Sequence, residues 1–129
     1  MPPENNSEQV AGGAILKLED GILFNSYLPN TPHDLDGAKL VAAKILEMCG
    51  DTKVPILVDG TDLKSMTSEA RAFYSTPEGT HNAKAIAIIA NTTIAKVTGT
   101  LFLGLNKPPY PAQIFTDKTE ALAWLQQYK

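Results

Sequence analysis

Few side chains in these 129 residues could do chemistry. They are the carboxylates of Asp59 and Asp62, the hydroxyl of Ser68, the thiol of Cys49 and the imidazoles of His33 and His81. A carboxylate can attack phosphorus, but a phosphatase of that kind also needs a second aspartate two residues on, as general acid. In Leu57-Val-Asp59-Gly-Thr61 the first position is leucine, or, in the later frame, the second is threonine. Asp59-Gly60 therefore reads as a strand-to-loop turn. Asp59 and Asp62 stand three apart with no third ligand close in sequence, short of the oxygen set that a divalent cation takes. They read as turn aspartates, and no metal is expected. Asp34 and Asp36 beside His33 suit the first turn of a helix, where the dipole favours acidic groups. Neither histidine has a sequence-local partner for a triad. Cys49 falls on an apolar helix face, as a small buried hydrophobe would. Gly12-Gly13 precedes a strand, and no G-x-x-x-x-G-K phosphate loop occurs. With no convergent nucleophile, base or phosphate cradle, no enzyme activity and no cofactor are expected.

Charge narrows the partners. Eleven basic residues, of which only Arg71 is arginine, face fourteen acidic ones, for a net charge of -3. A nucleic-acid binder draws its affinity from a basic patch, so no nucleic-acid partner is expected. One cysteine allows no internal disulfide and fits a reducing compartment. The longest purely apolar stretch, Ala85 to Ala90, is too short to span a bilayer. The N-terminus has no basic-then-apolar leader pattern. A soluble, cytoplasmic domain is the expectation.

The elements that must position these groups follow from periodicity. Residues 1–13 are mostly Pro, Asn, Ser, Glu, Gln and Gly and read as a flexible arm. A single domain is expected over 14–129. Ala14 to Glu19 alternates, Asp20-Gly21 signals a two-residue hairpin, and Ile22 to Leu28 resumes the apolar run. Thr31 with Pro32 reads as a helix start. Ala38, Val41, Ala42, Ile45, Leu46 and Cys49 form one helical face, ended by Gly50. Val54 to Val58 is a buried strand, Asp62 to Thr67 a loop, and Ser68 to about Ser75 a helix capped by Thr67 with Ala70, Phe73 and Tyr74 inward. Ala83 to Ala90 is apolar on both faces, which places it in the middle of a partly parallel sheet. After Asn91 or Thr92, Ile94, Val97, Leu101 and Leu105 form one inward stripe. Lys107 to Pro111 stops that helix, Ala112 to Phe115 is a strand, and Thr116 or Asp117 caps a last helix with Ala121, Trp124, Leu125 and Tyr128 on one face. The order is β-β-α-β-α-β-α-β-α: an α/β mixed sheet that opens with a β-hairpin, with helices packed against it. The expected core is Leu16, Leu18, Ile22, Phe24, Val41, Ile45, Ile56, Val58, Ile86, Ile88, Val97, Leu101, Ile114 and Leu125.

This order resembles the STAS domain of anti-sigma-factor antagonists, the SpoIIAA-like fold, over roughly Ala14 to Lys129. That family carries an apolar strand, a D-L-x-x-x-D-S-S-G-type loop and then a helix. Here the stretch reads Ile56-Leu-Val-Asp-Gly-Thr-Asp62-Leu63-Lys-Ser-Met66-Thr67-Ser68-Glu69-Ala70. Asp62-Leu63 and Met66 keep the spacing, and Ser68 falls where the family's phosphorylated serine sits. Thr67 replaces the aspartate before it, and Glu69 and Ala70 replace the serine and glycine after it. The chain looks most like uncharacterised bacterial STAS-like proteins, to which Leu103 to Pro111 followed by Phe115-Thr-Asp is similar.

The resemblance implies a non-enzymatic regulatory protein-interaction module. Its candidate surface is Asp62, Lys64, Ser65, Thr67 and Glu69, and its candidate phosphoacceptor is Ser68. The same superfamily includes the CRAL-TRIO lipid-binding domains, which implies the alternative of a small apolar-ligand or lipid site beside the Ile94–Leu105 helix. Leu101, Phe102, Leu103 and Leu105 cannot all be buried by one helical face, so they are the candidate apolar patch or pocket, open to an unknown protein partner, a second copy of the chain or an apolar ligand.

Overall fold

The computed structural model describes residues 7–129. Eight strands and four helices follow one another as β1 (Gln9–Ala11), β2 (Ala14–Glu19), β3 (Ile22–Tyr27), β4 (Thr31–His33), α1 (Leu35–Cys49), β5 (Val54–Asp59), β6 (Leu63–Met66), α2 (Ser68–Phe73), β7 (Ala83–Ile89), α3 (Thr93–Leu101), β8 (Ala112–Phe115) and α4 (Lys118–Leu125). A π-helical turn, Phe102–Asn106, extends α3. The main sheet has the order β1-β2-β3-β5-β7-β8. Its first three strands are antiparallel and the pairs from β3 to β8 are parallel. The expected mixed α/β architecture is present.

The connections decide where the helices lie. From β3 the chain steps to β5, β7 and β8, always in the same direction across the sheet. Right-handed crossovers that advance one way leave their helices on one face. Val41, Ile45 and Cys49 of α1 and Phe102 after α3 join Leu16, Leu23, Ile56 and Ile86 in one core. The short α2 packs on α1 through Ala70 and Phe73 against Ala38. Helix α4 alone covers the other face, where Ala121 and Leu125 meet Ile22, Leu57, Ala85, Ala87 and Ile89. Strands β5 and β7 are covered on both faces, which is why they read as unbroken apolar runs.

The hairpin turns at Asp20-Gly21 as expected, both residues having positive φ. Thr67 caps α2 by accepting from the Ala70 amide, and Asp117 caps α4 by accepting from the Thr119 amide. Part of the expected arm is regular structure. Residues 1–6 lie outside the described residues, and Gln9–Ala11 are not free chain but β1, paired with β2. Gly12 and Gly13, with φ of 57° and 81°, make the turn between them. A Cβ on Gly12 would stand 2.3 Å from the Gly37 carbonyl oxygen of α1, so glycine is required where this turn crosses the helix.

Two other expectations are corrected. The helix after the hairpin starts at Asp34, whose carboxylate accepts from the Gly37 amide at 2.8 Å, and not at Thr31. Thr31–His33 is β4, and Leu63–Met66, expected as loop, is its parallel partner β6. Three- and four-residue strands are too short to show a period of two, and Thr-Pro imitates a helix start.

The largest correction is the phase of α3. Its inward residues are Ala95 and Gly99, and Phe102 follows on the buried side. Ile94, Val97 and Leu105 are 46%, 54% and 71% exposed. The helix approaches the sheet closely on small residues. A Cβ on Gly99 would stand 3.1 Å from Ile114 Cδ1, and one on Gly60 3.0 Å from Ala95 Cβ. Close approach of backbone to sheet wins over burial of the larger side chains. The π-helical turn then breaks the 3.6-residue period, so Leu105 leaves the stripe. Of the expected core, Val97 is exposed and Phe24, Val58, Ile88, Leu101 and Ile114 are half-buried; the other eight residues are buried.

Candidate functional site

On the α1–α3 side of the sheet the core is incomplete. A cavity of about 100 Å³ lies between β3, β5 and β7 below and α1 and α3 above. Ile56, Val58, Ile86 and Ile88 form its floor, Val41, Ala42 and Ile45 one wall, and Ala95, Thr98, Gly99 and Phe102 another. This cavity lies beside α3, but of the four candidate apolar residues only Phe102 lines it. Phe102 contributes; Phe24 belongs to the opposite face, against α4. Leu101 is half-buried outside the lining, Leu103 is half-buried against the core, and Leu105 is exposed. The four candidate apolar residues thus serve different places.

The polar part of the lining is Asn25, Tyr27, Tyr74, Tyr110 and Thr98. Among the described residues no charged side chain lines it. Asn25 is 6% exposed, and its Oδ1 is buried without a hydrogen-bond partner. Strand alternation puts it there: Leu23, Asn25 and Tyr27 share the inward face of β3. An amide buried without a partner costs roughly 1–3 kcal/mol, so this position works against stability. The signal was in the sequence, as a polar residue between two large apolar ones in an inward register.

A second polar group stands behind the cavity. His33 of β4 is 1% exposed, and its Nε2 lies 2.7 Å from the Tyr74 hydroxyl. Its ring stacks on Tyr74 with centroids 5.9 Å apart and meets Tyr27 edge-on at 5.4 Å. The Tyr110 hydroxyl donates to the Tyr74 carbonyl at 3.1 Å. Burial lowers the His33 pKa against the raising effects of the Gly12 backbone and the Asp34 carboxylate. Burial likewise pushes all three phenols upward. Both effects favour uncharged forms, so at neutral pH the cluster is a neutral hydrogen-bonded brace. Sequence spacing could not show it, because its members come from β3, β4, the end of α2 and the segment before β8.

The surface candidates lie together on β6 and the start of α2. Asp62, Lys64, Ser65, Thr67, Ser68 and Glu69 are all exposed. The Ser68 hydroxyl donates to Glu69 Oε1 at 2.7 Å, and that bond is the main reason the Glu69 pKa is lowered. Asp59 accepts from the amide and hydroxyl of Thr61 at 3.0 and 2.6 Å, which is the work of a turn aspartate. Asp51 Oδ1 lies 3.5 Å from His81 Nε2 on the surface. Cys49 is fully buried, and its thiol is raised by burial. Among the described residues no three His, Cys, Asp or Glu side chains gather as a metal site requires. No helix among them is long and apolar enough to cross a membrane.

A family described as a domain of unknown function, DUF7793, matches residues 16–129. The chain belongs to the DUF7793 family. No curated protein matches this DUF7793 chain. Among solved structures it is similar to an uncharacterised DUF3478-family protein with a SpoIIAA-like fold from Shewanella loihica PV-4. The TM-score is 0.60 at 16% identity, over 95% of this chain and 98% of that one. A protein of unknown function from Arthrobacter sp. FB24 is 27% identical over 86% of this chain and 97% of that one, with a TM-score of 0.33. The DUF7793 chain has a SpoIIAA-like fold, as its element order led us to expect.

Proposed function

We propose that this DUF7793 chain is a non-enzymatic regulatory protein-interaction module that docks a protein partner on the outer face of α3. The carrying observation is the exposure of Ile94 and Val97 on one side of that helix, with Leu105 bare at its end. Full burial of an aliphatic side chain of this size returns roughly 1.5–3 kcal/mol, enough for the adjacent pair Ile94 and Val97 to act as the centre of an interface. Helix α3 packs against β6, whose outward residues are Lys64 and Ser65. Asp62 before that strand and Thr67, Ser68 and Glu69 after it are exposed too and would supply the polar border. An apolar centre with a polar rim is the usual anatomy of a protein interface. The SpoIIAA-like fold is consistent with this role by analogy only.

The test is site-specific photocrosslinking in living cells of the source organism. A photoreactive side chain at Val97 should give discrete protein adducts, and the same group at Glu120 on α4 should not. A Val97 position that gives no adduct, or the same adducts as Glu120, would remove the reading. Purified Ile94→Asp should remain folded, because its side chain leaves no core behind.

A further inference from the structure

We infer that the cavity under α3 is a binding site for a small uncharged molecule, mostly apolar, with one polar end that pairs with the Asn25 carboxamide. Four observations carry this. The space is real but small, about 100 Å³. A dry apolar cavity of about 150 Å³ takes a molecule the size of benzene, and drug-sized ligands need roughly 300–1,000 Å³. The part of a ligand held inside therefore has about four to six heavy atoms. The lining is apolar on the floor and on both helical walls, so most of the ligand must be apolar. Among the described residues no lysine, arginine, aspartate or glutamate lines it, so a carboxylate, phosphate or ammonium would be buried without a counter-charge. Finally, Asn25 is 94% buried, by its 6% exposure, and its amide oxygen has no partner. A leucine would serve the fold better at this position. A carboxamide both accepts and donates, which selects a small alcohol or amide over a hydrocarbon.

There is also a way in. A shallower depression between α1 and the segment before β7 shares Ala42, Ile45, Ile56, Gly79 and Ala83 with the cavity. Glu78, His81 and Asn82 line that depression only. The wall between the two spaces is thus thin at Gly79, on a connection rather than on a regular element. This inference does not rest on docking at α3: Ala95 and Gly99 face the cavity while Ile94 and Val97 face away from it.

Isobutanol, isopentane and isobutyrate, of five or six heavy atoms each, probe it, read by methyl NMR on the full chain labelled at isoleucine, leucine and valine. Isobutanol should shift the Ile56, Ile86 and Ile88 methyls saturably, with those of Leu122 and Leu125 unmoved. Isobutyrate should not bind. Asn25→Leu keeps the branched shape and removes the polarity of the carboxamide, so the preference for isobutanol over isopentane should fall about ten-fold. Asn25→Phe adds bulk to the space and should abolish the binding of both. The absence of any saturable shift, a preference altered less than three-fold in Asn25→Leu, or undiminished binding to Asn25→Phe would each overturn the proposal. So would a crystal structure of the isobutanol-soaked protein with only ordered water beside Asn25.

Discussion

The two faces of the sheet are built to different standards of packing. On the face under α4, Leu125 and Ala121 are fully buried against the alanines of β7, and the half-buried Phe115, Trp124 and Tyr128 pack around them. It holds no buried polar side chain. The face under α1 and α3 is larger, keeps a void, and holds Asn25, Tyr27 and His33 at depth. One face is what a sequence optimised for stability would make of both. The other accepts an unpaired amide and unfilled space, which costs stability and leaves room.

This contrast is sharpest in what truncation and loss of polarity should do. Leu125→Ala, on the α4 face, should cost roughly 2–5 kcal/mol in chemical denaturation, because tight neighbours cannot collapse into the hole. A cost below about 1 kcal/mol would show that the α4 face is as loose as the other. Asn25→Leu should act in the opposite direction and stabilise by about 1–2 kcal/mol, since it replaces an orphaned polar group by an apolar one of the same shape. Destabilisation by Asn25→Leu would mean that the amide is already satisfied and that the two faces are alike.

The α4 face was also the legible one. Ala85 to Ile89 announced a two-sided strand, and the Ala121, Leu125 spacing announced the helix that covers it, because large apolar residues there do obey the period. On the other face the period misleads. Helix α3 packs through Ala95 and Gly99, residues that carry almost no hydrophobic signal, while Ile94 and Val97 carry the signal and point outward. Short-range patterns also could not reveal β4 or β6, whose pairing joins residues about thirty apart in sequence. His33 was hidden for the same reason: Asp34 and Asp36 gave its neighbourhood the look of a helical turn, and its partner Tyr74 lies 41 residues on. Ser68 and the residues around it were placed by resemblance to a family loop, and in the structure Asp62, Lys64, Ser65, Thr67, Ser68 and Glu69 are all exposed.

Buried polarity on one face alone should make the stability depend on pH through that face. His33 is the titrating group, and burial holds its pKa below 6.5. Above about pH 6.5 the imidazole is neutral in both folded and unfolded chains, and this part of the stability is fully present. As the pH falls below that value the unfolded chain takes up the proton first, so stability is lost down through the folded-state pKa. One proton limits the slope to about 1.4 kcal/mol per pH unit. Melting temperatures at pH 7.5, 6.5 and 5.5 should therefore decline for the wild type and stay flatter for His33→Gln. Equal slopes would show that the histidine is not the source.

The smallest effect should come from Ser68, which belongs to neither core and sets the baseline for both. Its hydroxyl is exposed and spends its hydrogen bond on Glu69. An aspartate there loses that bond and sets a second carboxylate beside the first, which is unfavourable. It also stands at the start of α2, where the helix dipole favours negative charge, although six residues make only a weak dipole. The two effects oppose each other at a solvent-exposed site, so Ser68→Asp should move the melting temperature by less than about 3 °C. A larger drop would mean that the start of α2 helps to hold the cavity face together. With the fold intact, the same variant isolates the interface: adducts from a crosslinker at Val97 that vanish in Ser68→Asp would make this serine part of the docking rim, and unchanged adducts would leave it a bystander.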